Sequence, residues 1–186
     1  MSRIQVIQPE EATGQLKKIY DELVEKRGKI AEVHKIQSLR PQSIMKHMDL
    51  YLEIMFSKSK LSRAEREMMA VIVSVNNDCT YCQLHHGEAL NHYWKDQENV
   101  DRLINNYQDA GLNSRQLTLC HFSRELTLSP DGFEDDAQID RLKEEGFDDQ
   151  AILDATLVVS YFNFVNRMVL ALGIQACENE IKGYKF

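Results

Sequence analysis

Glycine and proline are scarce, 8 and 3 among 186 residues. An all-β sandwich needs turn signals about every 8–12 residues, so that class is excluded and helices are favoured. Long basic runs are missing too. Lys and Arg number 22 against 29 Asp and Glu, a formal net charge of −7. Such a chain repels phosphate backbones, so nucleic acid is not an expected partner. The opening "MSRIQVIQPEEATGQLKKIY" has no apolar core and no cleavage site, and no secretory signal is read there. No clean membrane span is found either. The most apolar stretch, "ATLVVSYFNFVNRMVLALGI", is interrupted by Asn163, Asn166 and Arg167, with Asp154 just upstream. A span of about 20 residues rarely carries those groups, so this is read as a buried helix, with no membrane partner.

Hydrophobic residues make up 43% of the chain, enough for a sizeable core and too many for disorder. Apolar residues recur at helical spacing along most of it. Leu16, Ile19, Tyr20 and Leu23 mark a first helix over 9–27. Ile44, Met45, Met48, Leu52, Met55 and Phe56 form one stripe of a second, over 42–56. Ser62 and Glu65 make a capping box for a third, which runs through "REMMAVIVSV" to about Val75. Its β-branched run resembles a strand, but the cap and the length favour helix. "NND" breaks it, and Asp78 is expected to cap a new helix over 79–94. Further helices are expected at 97–109, 113–128, 134–145 and 148–172, with Asn113 and Asp148 as caps. The fold class is therefore all-α, a single domain over 1–186 of about eight helices.

Four cysteines without a signal point to a reducing compartment, and a cytoplasmic location is expected. Two of them open the chemically suggestive stretch "CTYCQLHH", residues 79–86. On a helix, residues three and four apart share a face, about 5–6 Å between Cβ atoms. Cys79 and Cys82 then lie within reach of a disulfide. Cys82 and His86 are four apart, and an imidazole beside a thiol can leave the reactive thiolate. Cys79, however, sits near the helix's first turn, where free N–H groups favour an anion. Spacing alone leaves open which sulfur reacts first. Glu67, on the preceding helix, is a carboxylate able to orient His86 if the two helices turn back on each other.

The pattern of Glu67, eleven residues, Cys79-Thr-Tyr-Cys82, three residues and His86 resembles the signature of the alkylhydroperoxidase D-like family. That family lies within the carboxymuconolactone decarboxylase superfamily. "LSRAEREMMAVIVSVNNDCTYCQLHHGEAL" and "YFNFVNRMVLALGI" resemble its peroxidase-related branch, with a motif core at 61–95. The resemblance implies an oxidoreductase, a thiol-dependent peroxidase of antioxidant function acting on organic hydroperoxides. It implies Cys82 as the attacking cysteine, Cys79 as the resolving one, and His86 as proton relay with Glu67 behind it through a water. It implies no metal and no bound cofactor, an external dithiol reductant (a lipoylated or thioredoxin-like protein) and a homo-oligomer. The family pattern carries histidine between the two cysteines, where this chain has Tyr81.

Other readings compete. The cysteine pair could oxidise without efficient turnover and act as a redox sensor or partner-binding module. Zinc needs four ligands, and Cys79, Cys82 and one of His85 or His86 supply three, with Cys120-His121 as a distant fourth source. The wider superfamily's decarboxylase activity does not depend on a Cys-x-x-Cys pair. Cys120 and Cys177 read as structural, Tyr81 as packing, and Asn163, Asn166 and Arg167 as pocket-lining or satisfied core polars.

Overall fold

A computed structural model describes residues 2–175. Cys177, read above as structural, lies outside them. The described chain is all helical, with no strand. Its α-helices are α1 (Gly14–Arg27), α2 (Glu32–Lys35), α3 (Pro41–Phe56), α4 (Arg63–Asn76), α5 (Thr80–Trp94), α6 (Gln97–Asn105), α7 (Ser114–Leu128), α8 (Ala137–Glu144) and α9 (Asp149–Leu172). Short 3-10 turns cover Tyr107–Asp109 and Pro130–Phe133. The helical plan follows the sequence closely. The addition is α2, a single turn inside what composition marks as a connection. In addition, α1 begins only at Gly14 and α6 ends at Asn105.

The centre of the bundle is α4. Met68, Met69, Ala70, Val71, Ile72 and Val73 are all buried, because α5, α7 and α9 pack around it. A helix apolar on every side has no solvent face to offer, which is why "MMAVIV" shows no helical period. The capping box at Ser62/Glu65 forms as expected, Asn113 caps α7 as expected and forms a full box with Gln116, and Asp148 caps α9 through the Ala151 amide. A second cluster joins Leu16, Ile19, Tyr20 and Leu23 of α1 to Ile44 and Met48 of α3. Leu52 and Phe56, placed on the α3 stripe by periodicity, are instead exposed. His47 takes a buried place on that helix.

The α9 helix is the one described helix long and apolar enough to cross a membrane. Its inner face, including Ala155, Val158, Phe162 and Val169, is buried in the bundle. Its outer face leaves Leu153, Leu157, Phe164 and Leu170 exposed.

The turn between α4 and α5 sets the site, and here the expectation for Asp78 is corrected. Asp78 does not cap α5. It closes α4, with φ +53, in the left-handed region. Its N–H donates to the Val75 carbonyl at 3.0 Å, and the Cys79 N–H donates to Ser74 O at 2.9 Å. This is the paired-bond ending of a helix known as a Schellman motif. Cys79 becomes the residue that starts α5. The chain reverses, so α5 lies back along α4. Aspartate tolerates the left-handed region better than most residues but at some cost. Replacing Asp78 by Gly is expected to leave stability unchanged or raise it by up to about 1 kcal/mol, and Asp78→Val to lower it by about 1–2 kcal/mol. Urea unfolding measures both, and a Val variant as stable as wild type contradicts the assignment.

Candidate active site

With α5 folded back on α4, Glu67 and His86 meet. His86 Nδ1 lies 2.7 Å from Glu67 Oε2. The water expected between them is not needed, because the reversal at Asp78 brings the two helices to the same level. Glu67 is fully buried. Its other oxygen, Oε1, accepts from Arg63 Nη2 at 2.5 Å and Nε at 3.1 Å. Burial alone would raise the carboxyl's pKa. The His86 hydrogen bond and the His86 and Arg63 charges hold it below the ordinary value. Glu67 is therefore a carboxylate and can only accept. His86 Nδ1 is therefore the donor, and in the neutral ring the lone pair lies on Nε2. That is the tautomer a general base needs.

Arg63 was not singled out in the sequence, although its i,i+4 spacing to Glu67 is the available signal. It also donates to the Met55 carbonyl at 2.9 Å and lies 3.6 Å above the Phe56 ring. Arg66 donates to the carbonyls of Ile54 and Ser57. Together the two arginines satisfy carbonyls that the end of α3 leaves open.

Cys79 and Cys82 are both buried and free, with sulfurs 2.8 Å apart. They titrate as a unit. The Cys82 thiol and amide favour an anion at Cys79, whose pKa is lowered against the effect of burial. For Cys82 the same hydrogen bond, burial and the neighbouring charge push the pKa up. Access runs the other way. Cys82 lines the cavity described below, and Cys79 does not. Asn166 adds to this side. It is fully buried, and its Oδ1 accepts from Asn77 Nδ2 at 3.3 Å. Its Nδ2 has no hydrogen-bond partner and sits where it favours a Cys82 thiolate. Asn163 serves structure instead, accepting from Asn77 and donating to Thr127.

The cavity holds about 100 Å³. One wall carries Cys82, His86 and Glu67, and Phe162 meets the His86 ring edge-on at 4.4 Å. The lining also includes Arg27, His34, His47, Tyr51 and Tyr161, none of which the sequence pattern marked. Tyr81 and His85 also line it, their rings 4.4 Å apart. Tyr81 also accepts from the Val33 amide at 3.4 Å, so it packs and lines the site at once. The remaining candidates lie elsewhere. Cys120 is buried in the main core, and His121 bonds Arg141 at 2.7 Å. No group of three or more His, Cys, Asp and Glu among the described residues is placed to hold a metal.

Against this geometry, residues 42–120 match the carboxymuconolactone decarboxylase family, a span that holds all four residues of the motif. Comparison with curated proteins finds no match. Among solved structures, a peroxidase-related protein from Ralstonia eutropha JMP134, described as an alkylhydroperoxidase AhpD core, superposes with a TM-score of 0.86. It is 25% identical, over 97% of this chain and 94% of its own. A peroxidase-related protein from Silicibacter sp. TM1040 is 27% identical over 98% of both chains, with a TM-score of 0.83. The debrominase Bmp8, 17% identical, shares the fold over 97% of this chain and 98% of its own, with a TM-score of 0.77.

Burial lowers three cavity histidines, His34 to about 3, His47 to about 4 and His85 to about 3. All three are neutral at pH 7. The unfolded chain protonates them near pH 6.5, so between that pH and about 4 it holds more protons than the folded one. Stability must then fall as pH drops through this window, by up to about 1.4 kcal/mol per pH unit for each histidine. Urea midpoints from pH 7 to 4.5 are expected to fall steeply, with His47→Phe removing about one proton's share of the slope. A flat profile for wild type contradicts the burial of these rings.

Proposed function

We propose that this chain, an alkylhydroperoxidase D-like member of the carboxymuconolactone decarboxylase superfamily, is a thiol peroxidase that reduces organic hydroperoxides. The family and its peroxidase-related neighbours support an enzyme of antioxidant type. The observation that carries the finer reading is the line Arg63–Glu67–His86 ending at the cavity that Cys82 faces.

The proposed cycle begins with the proton the two sulfurs share. His86 Nε2 accepts it from Cys82 at the cavity wall, and the charge that forms on the ring is met by the Glu67 carboxylate. The Asn166 amide, without another acceptor, favours the resulting thiolate. The Cys82 sulfur attacks the outer peroxide oxygen, the O–O bond breaks, and His86 returns the proton to the departing alkoxide. The products are an alcohol and a Cys82 sulfenic acid. The Cys79 sulfur then attacks Cys82, water leaves, and the disulfide forms. An external dithiol, on a lipoylated or thioredoxin-like protein, restores both thiols by exchange. Cys79 is the natural resolving group because it is already adjacent and has no access to the cavity. The step needs no metal or flavin.

The test is mass spectrometry after one equivalent of cumene hydroperoxide. Wild type is expected to form the Cys79–Cys82 disulfide, Cys79→Ser to trap a sulfenic acid at Cys82, and Cys82→Ser to remain reduced. Added dithiol should then give many turnovers. Oxidation that stops at one equivalent favours a redox sensor, and a wild type that stays reduced removes the peroxidase reading. The same reading includes a homo-oligomer, for which the exposed stripe Leu153, Leu157 and Phe164 offers an apolar face. Light scattering is expected to report a mass above 21.6 kDa, and Leu157→Glu with Phe164→Glu to reduce it. A monomeric wild type contradicts this.

A further inference from the structure

Part of the cavity lining is not used in the cycle above, yet it is built from polar groups. His47 is 93% buried, its exposure being 7%. Its Nδ1 lies 2.7 Å from Gln37 Nε2. The same Gln37 nitrogen donates to the Val33 carbonyl at 2.8 Å. A carbonyl can only accept, so the Gln37 amide nitrogen must face it, and the remaining N–H goes to His47. His47 Nδ1 is therefore an acceptor, and its proton sits on Nε2. Among the described residues His47 makes no other hydrogen bond, and it lines the cavity.

Two neighbours share this condition. Tyr161 is 5% exposed and its hydroxyl makes no hydrogen bond among the described residues; burial raises its pKa, so the proton stays on. Its ring lies 5.6 Å from that of His47. Arg27, the last residue of α1, makes neither a hydrogen bond nor an ion pair among the described residues. Its guanidinium rests 5.3 Å from the Tyr51 ring centroid, at the cavity wall. No carboxylate in the lining is free to meet these donors. Glu67 is the one carboxylate among the lining residues, and both its oxygens are committed to Arg63 and His86. A cavity with a free cation, an N–H and an O–H, and with no free carboxylate, is complementary to an anion.

We propose that Arg27, His47 and Tyr161 form an anion-binding pole, and that the cavity takes a small carboxylate with an apolar body. A guanidinium presents two parallel N–H groups, which match the two oxygens of a carboxylate. The neutral His47 ring supplies a fixed donor where a cation would compete. Val33, Phe162 and Val165 give the apolar walls for the body. In its substrate form the inference rests on the peroxidase reading: the hydroperoxide reduced at Cys82 carries a carboxylate at its far end. The binding form does not.

The experiment separates the two. Isothermal titration of the reduced protein with benzoate and with benzyl alcohol needs no turnover. Benzoate is expected to bind at least about tenfold more tightly, the worth of one charge-assisted hydrogen bond. Arg27→Met should erase that preference, Arg27→Lys should restore part of it, and His47→Phe should weaken benzoate alone. Equal binding of the two probes, or a preference that survives Arg27→Met, overturns the proposal. Turnover of cumene hydroperoxide is then compared with that of its para-carboxylate. The ratio of kcat/KM is expected to favour the carboxylate in wild type and to collapse in Arg27→Met. If neither peroxide is turned over while benzoate still binds through Arg27, the peroxidase reading falls and the anion pole stands. A ratio near one in wild type overturns the substrate form.

Discussion

Everything at this site depends on one buried carboxylate. Glu67 has no contact with solvent, and each of its oxygens is held by a different helix's business: Oε1 by Arg63, whose other bonds close the end of α3, and Oε2 by His86 on α5. Removing an ion from water costs several kcal/mol, which only good geometry and full hydrogen bonding offset. Losing either partner would leave a charge buried and unpaired, a loss on the order of 3–5 kcal/mol. The carboxylate therefore does two things with one set of contacts. It ties three helices together, and it decides which nitrogen of His86 carries the proton.

The cavity holds two imidazoles with opposite assignments. His86 gives its Nδ1 proton to Glu67 and turns a lone pair inward. His47 accepts at Nδ1 from Gln37 and turns an N–H inward. Neither assignment comes from the histidine itself. Each is imposed by a neighbour able to play only one role, a carboxylate in one case and an amide nitrogen pinned by a carbonyl in the other. The result is one imidazole that offers a lone pair and another that offers an N–H to the same small cavity. The two sulfurs divide their tasks in a comparable way. Cys79, at the start of α5, is the easier to ionise, and Cys82 is the one that a molecule in the cavity can touch.

Much of the bundle was legible in the sequence because local signals agreed with the global fold. The box at Ser62/Glu65, the caps at Asn113 and Asp148 and the α1 stripe all point where the structure goes. The motif was legible as a set, since Glu67, Cys79, Cys82 and His86 have a recognisable spacing. What could not be read was contact across the fold. Asp78 looked like a cap because aspartate often is one, but its backbone is claimed by the end of α4. Leu52 and Phe56 fit a helical period, but the packing leaves both exposed. Arg27, His34 and His47 carry no spacing that links them to the cysteines. Only tertiary packing brings α1, α2 and α3 to the same cavity.

The two parts of the lining therefore have different origins in the chain. The redox part is a single helical hairpin, residues 67–86, joined by the Asp78 turn. Its contacts are local in sequence, need little loop closure and belong to the class that forms early in folding. The donating part is non-local, assembled from α1, α2, α3 and α9 once the bundle has closed. Reactivity and recognition are thus separable in this architecture. Changes in the first and last helices can refit the cavity to another ligand while the hairpin that carries the sulfur chemistry stays as it is.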